Sequence, residues 1–104
     1  MTRTNRTLTA ALLGAAVLGA GAAHGAEDPQ VRVWAAACAT CHGTHGASAG
    51  GVPTIAGEPG DKLYKLLQEF KDGSRPATVM HQHAKGYTDE ELQRLAAYFS
   101  RQRP

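Results

Sequence analysis

Only two of the 104 residues are cysteine, Cys38 and Cys41, and they stand three positions apart. The disulfide framework that staples many small secreted domains is therefore excluded. Aromatic residues are also scarce, at one Trp, two Phe and three Tyr. Charge of either sign is in short supply: 11 basic residues oppose 9 acidic ones. No basic stripe with interleaved aromatics occurs, which excludes a nucleic-acid interface. The longest apolar run falls short of the roughly 20 residues that span a bilayer well. No internal repeat and no strand-like alternation are visible.

That apolar run sits near the start. Arg3 and Arg6 precede it, Leu8 to Ala23 form it, and the small residues Gly21–Ala26 follow. This order reads as a secretory signal over residues 1–25, removed after Gly25, with the remaining domain at 26–104. An uncleaved membrane anchor is the alternative. Once Arg3 and Arg6 are set aside, the rest of the chain carries 9 basic and 9 acidic residues. A remainder of roughly 78 residues buries a marginal core unless something staples it. With disulfides excluded, that shortage points to a metal or a large buried cofactor.

Three helices are predicted. Asp28 and Pro29 suit an N-cap and first helical position, and the Ala-rich segment Gln30–Thr40 with Trp34 follows. Leu63, Leu66, Leu67 and Phe70 fall at i, i+3, i+4 and i+7, one face of a second helix, with Gly73 as its stop. Thr88 and Glu91 form a capping box for a third, whose apolar face is Leu92, Leu95, Ala96 and Phe99. Between them lie a glycine-rich loop, Gly43–Gly57, and a stretch read as irregular, Ser74–Tyr87. The fold class is all-α.

The chemistry lies in residues 38–42, Cys-Ala-Thr-Cys-His. Cys-x-x-Cys-His is the attachment signature of c-type haem. Residues i, i+3 and i+4 share one side of a helical turn, so Cys38 and Cys41 can form thioethers to the two vinyl groups of one porphyrin, and His42 can ligate its iron. Thioredoxin-like thiol chemistry uses Cys-x-x-Cys within a βαβ setting that is missing here. A zinc site would draw on Cys38, Cys41, His42, His45, His81 and His83, but there is neither a second Cys-x-x-Cys nor a His-x₃₋₅-His pair. A plain disulfide is the remaining alternative.

A sixth iron ligand follows by elimination. Met1 leaves with the signal, so Met80 is the single remaining methionine, set in a polar stretch. His81 or His83 is the alternative and would give bis-His iron. A Met/His pair raises the haem potential and suits electron transfer.

The Cys38–His42 motif, the Pro53-Thr54-Ile55-Ala56-Gly57 segment, the isolated Met80 and the amphipathic helices together resemble small class I c-type cytochromes. Within that group, Cys-Ala-Thr-Cys-His-Gly-Thr-His-Gly (38–46), Ala77-Thr78-Val79-Met80 and Ala84-Lys85-Gly86-Tyr87 resemble the haem subunit of flavocytochrome c sulfide dehydrogenase. The resemblance implies three or more helices packed around one covalently bound haem. It implies thioethers at Cys38 and Cys41, a proximal ligand at His42 and a distal one at Met80. The Pro53 carbonyl would then accept a hydrogen bond from His42, Ile55 would pack on the haem, and the first and last helices would cross near Trp34, Leu95 and Phe99. Some relatives carry two such domains and two haems, whereas this sequence has one.

Two functions follow as expectations. The chain is a periplasmic electron-transfer protein, not an enzyme, that accepts electrons from a sulfide-oxidising flavoprotein subunit and passes them to other cytochromes. Alternatively, it is a free soluble shuttle in a respiratory or sulfur-oxidation chain. A haem sensor or peroxidase that releases Met80 is a third reading. Lys62, Lys65, Lys71, Arg75 and Lys85 are weighed as a docking rim against an ordinary solvated surface; His45, His81 and His83 are expected to be exposed loop residues. Tyr64, Tyr87 and Arg75 are candidates for a haem propionate.

Overall fold

A computed structural model describes residues 27–104. The signal expected over residues 1–25 lies outside them. Four helices follow in order: α1 (Pro29–His42), α2 (Gly60–Asp72), α3 (Met80–Lys85) and α4 (Asp89–Ser100), with a short 3₁₀ turn at Thr44–Gly46 after α1. No strand occurs among the described residues, in keeping with an all-α, class I cytochrome c-like domain.

Local chemistry sets the helix limits. The Asp28 carboxylate accepts a hydrogen bond from the Gln30 N–H at 2.9 Å, and Pro29 opens α1 at a position that needs no amide hydrogen. Gly43 stops α1 with φ 84° and returns its N–H to the Ala39 carbonyl at 2.9 Å. A side chain there would clash, since a Cβ would stand 2.2 Å from the Ala47 carbonyl oxygen. The stop makes His42 the last residue of α1. Gly73, in the left-handed conformation, ends α2. At α4 both halves of the capping box form: the Glu91 N–H donates to Thr88 Oγ1 at 3.2 Å, and the Thr88 N–H donates to Glu91 Oε2 at 2.8 Å.

The core gathers Val31 and Ala35 of α1, Leu63 of α2, and Leu92, Leu95, Ala96, Tyr98 and Phe99 of α4. Thus α4 is the spine on which α1 and α2 pack. Trp34 lies against this cluster, and the Arg94 guanidinium stacks over its ring at 4.9 Å while also pairing with Asp28. Trp34 meets Tyr87 edge-on, with centroids 6.0 Å apart. The expected crossing of first and last helices near Trp34 is therefore present.

The stretch read as irregular contains a helix. Met80–Lys85 forms α3, which packs on α2. It is six residues long, Val79 caps it with no side-chain bond, and Ala84 is its one buried residue. A helix this short has no apolar period to read and depends on tertiary packing. Met80 is accordingly the first residue of a helical turn.

Candidate cofactor site

Three of the expected site residues come from the last turns of α1. Cys38 is half-buried, Cys41 is exposed and His42 is buried. Both thiols are free. Cys38 Sγ donates to the Trp34 carbonyl one turn earlier at 3.7 Å, and burial pushes its thiol above the ordinary range, so the group is held as a neutral thiol at pH 7.

His42 is held from one side. Its Nδ1 lies 2.7 Å from the Pro53 carbonyl oxygen. A carbonyl can only accept, so Nδ1 carries the hydrogen and Nε2 of the neutral ring presents a lone pair. This arrangement, one ring nitrogen tied to a backbone carbonyl and the other left to coordinate, is what orients a metal-bound imidazole.

The segment that supplies Pro53 is itself fixed. The N–H groups of Ile55 and Ala56 both donate to the Gly46 carbonyl, at 2.9 and 3.1 Å, and the Gly57 N–H donates to Phe99 at 2.9 Å. Gly46 makes the closure possible. It has φ 84°, and a Cβ there would stand 2.7 Å from Phe99 Cδ1 and 2.8 Å from Ile55 Cγ1. The role of Gly46 was not foreseen; its signal was a glycine four positions after His42, inside a loop already rich in glycine.

Ile55 is half-buried against the core, as are Cys38, Trp34, Tyr64, Leu67 and Tyr87. Leu66 and Phe70, expected on the apolar face of α2, are likewise only half-buried. The core is small, with Leu92 and Leu95 its largest fully enclosed side chains. Apolar surface beside Cys38 and Ile55 is thus left for a large apolar group to cover. Together with the free thiol pair and the oriented imidazole, these residues fit a covalently attached haem. The zinc alternative lacks ligands: no group of three or more His, Cys, Asp or Glu side chains converges among the described residues.

Met80 is half-buried on the first turn of α3. His81, expected as an exposed loop residue, is instead half-buried on that helix, and its Nδ1 is enclosed without a partner. Protein atoms already cover that nitrogen, so any ligand of His81 must meet Nε2. His45 and His83 are exposed as expected, but His83 lies on α3 and not in a loop. The cationic rim is largely neutralised: Lys62 pairs with Glu58, Lys65 and Arg75 with Glu69, and Lys71 with Asp89. No helix of the described residues is long and apolar enough to cross a membrane.

A helix ending in Cys-x-x-Cys-His, with its imidazole oriented by a backbone carbonyl inside a small helical domain, defines a c-type cytochrome domain. Comparison with known proteins agrees. Residues 25–99 match the family described as "Cytochrome C oxidase, cbb3-type, subunit III", and the chain belongs to that family of cytochrome c domains. It is 50% identical to the cytochrome subunit of sulfide dehydrogenase of Chlorobaculum tepidum, over 60% of this chain and 56% of the relative. It is 38% identical to a thiosulfate dehydrogenase electron acceptor of Thiomonas intermedia, over 95% of this chain and 45% of the relative. Cytochrome c-554(548) of Halomonas halodenitrificans is 33% identical over 62% of this chain and 83% of its own length. The chain spans about half the length of the first two. These relatives are named as cytochromes or as an electron acceptor.

Proposed function

We propose that this chain is an exported, periplasmic monohaem cytochrome that accepts single electrons from a sulfide-oxidising flavoprotein subunit and passes them to another cytochrome. Residues 1–25 act as the export signal and residues 26–104 as the working domain. Cys38 and Cys41 would hold the haem through thioethers, and His42, through Nε2, and Met80 would ligate its iron. When bound, the haem iron supplies a one-electron couple. The rest is done by the protein: Pro53 keeps the His42 ring from turning, and Ile55, in the same loop, packs against the core.

The observation that carries this reading is the His42–Pro53 hydrogen bond at the end of a Cys-x-x-Cys-His helix. The flavoprotein partner is supported by the 50% identity to a sulfide dehydrogenase cytochrome subunit. A free electron shuttle is the second reading, supported by the match of nearly the whole chain to a relative named as an electron acceptor. Co-purification with a sulfide-oxidising flavoprotein from the same cells separates the two. A stoichiometric complex whose haem is reduced on adding sulfide is expected. A monomer indifferent to that flavoprotein would contradict the subunit reading and leave the shuttle.

A further inference from the structure

We propose that the cavity walled by α1, the Thr44–Gly46 turn and α4 is a binding site for a small organic anion, a carboxylate carried on a single apolar ring, with Arg32 as its charge partner.

The cavity measures about 360 Å³, at the lower end of the range of ligand pockets. That is room for about a dozen waters. A bare inorganic ion would leave most of it unfilled, whereas a one-ring organic molecule suits it. The cavity is separate from the haem site. Its α1 residues, Arg32, Ala35, Ala36 and Ala39, centre about 120° around the helix from the side that carries Cys38, Cys41 and His42. A haem attached there and a ligand here do not compete.

The walls are of two kinds. One is apolar, made of the alanine methyls and the Phe99 ring, with Ala35 and Phe99 buried. The hollow exists because α1 presents only methyls at these positions; a longer side chain at Ala36, which is exposed, would occupy it. The other wall consists of groups that can donate hydrogen bonds: Arg32, Thr44, His45 and Tyr98. No carboxylate lines the cavity.

These donors are uncommitted. Six of the nine cations of residues 27–104 pair with carboxylates, but Arg32 has no such partner among the described residues. Tyr98 is buried, and its carbonyl accepts from Gln102, yet its hydroxyl takes no hydrogen-bond partner among the described residues. His45 is the one non-glycine residue with a positive φ among them, at 54°, and backbone strain of this kind gathers at ligand clamps. A cationic ligand would be repelled by Arg32, and a neutral one would leave its charge unanswered. An anion on an apolar ring satisfies both walls, through charge-assisted hydrogen bonds on one side and burial on the other.

Titration of benzoate into the matured protein, with its haem reduced and ionic strength held constant, tests this by backbone amide NMR shifts. Saturable shifts at Ala36, Ala39, Thr44 and His45 are expected, with a Kd of about 1 mM. Benzamide keeps the ring but lacks the charge, and is expected to bind about 10-fold more weakly or worse. Arg32→Gln is expected to weaken benzoate by about the same factor. Ala36→Leu is expected to abolish the shifts by filling the hollow with every charge left in place. Lys85→Gln, which removes a cation of α3, is expected to leave them unchanged. An unchanged haem spectrum establishes that each variant is folded. Shifts that do not saturate by about 20 mM, benzamide that binds as tightly as benzoate, or an Arg32→Gln variant that binds as wild type would overturn the proposal.

Discussion

The Pro53 carbonyl accepts the Nδ1 hydrogen of His42 at 2.7 Å, and so joins the end of α1 to a loop eleven residues further along the chain. The acceptor is backbone, so its position depends on the fold and not on a rotamer. The proline ring limits the conformations that could carry the carbonyl away. Pro53→Ala keeps the acceptor and releases that restraint. We expect it to lower stability by about 0.4–1 kcal/mol, measured as a denaturant midpoint, with the visible spectrum of the holoprotein unchanged.

Gly46 fails more severely. Any side chain there meets Phe99 and Ile55 and must also adopt a positive φ. Gly46→Ala combines overpacking with backbone strain, and about 2–4 kcal/mol of lost stability is expected. Thermal unfolding of the holoprotein measures it. A loss below 0.5 kcal/mol, roughly the scale of an ordinary surface change, would mean that the loop does not close on α4 as described.

The capping box gives a smaller, local effect. Thr88→Ala removes the acceptor for the Glu91 N–H at the start of α4. The expected cost is about 1 kcal/mol by chemical denaturation. Because α4 is the spine of the core, that loss should appear in global unfolding and not as local fraying.

Tyr87 gives a pH dependence. Burial, first, raises its phenol above the ordinary range, with smaller contributions from Cys38 and Glu91. A phenol whose folded pKa is raised contributes stability that is present below the unfolded value and is lost as pH rises through the folded one. Thioether formation removes the Cys38 charge but not the burial, so the direction persists in the holoprotein. Stability measured from neutral into strongly alkaline solution should fall less steeply in Tyr87→Phe than in wild type, with the two slopes alike near neutrality.

Much of this was legible in the sequence, for identifiable reasons. Asp28-Pro29, Gly73 and the Thr88–Glu91 box act within a few residues, so the ends of α1, α2 and α4 could be read directly. The Cys38–His42 spacing is also local. What escaped depends on distant partners. Helix α3 has no cap or period of its own and forms against α2. The enclosure of His81 follows from that helix. Lys71 finds Asp89, and Arg94 finds Asp28, only once the helices pack, so four of the five cations weighed as a rim pair with carboxylates in the folded chain. The need for glycine at position 46 appears only when Phe99 and Ile55 arrive beside it.

The central claim is that Cys38, Cys41, His42 and Met80 form one haem site, and a visible spectrum of the protein matured in a periplasm tests it most directly. Oxidised and reduced spectra should show covalently bound haem that resists acid–acetone extraction. The oxidised form should show the weak far-red band of methionine-to-iron coordination, and Met80→Ala should lose that band while keeping the haem. Covalent haem whose oxidised spectrum lacks the band in wild type would contradict Met80 as ligand, and a protein without haem would contradict the account as a whole.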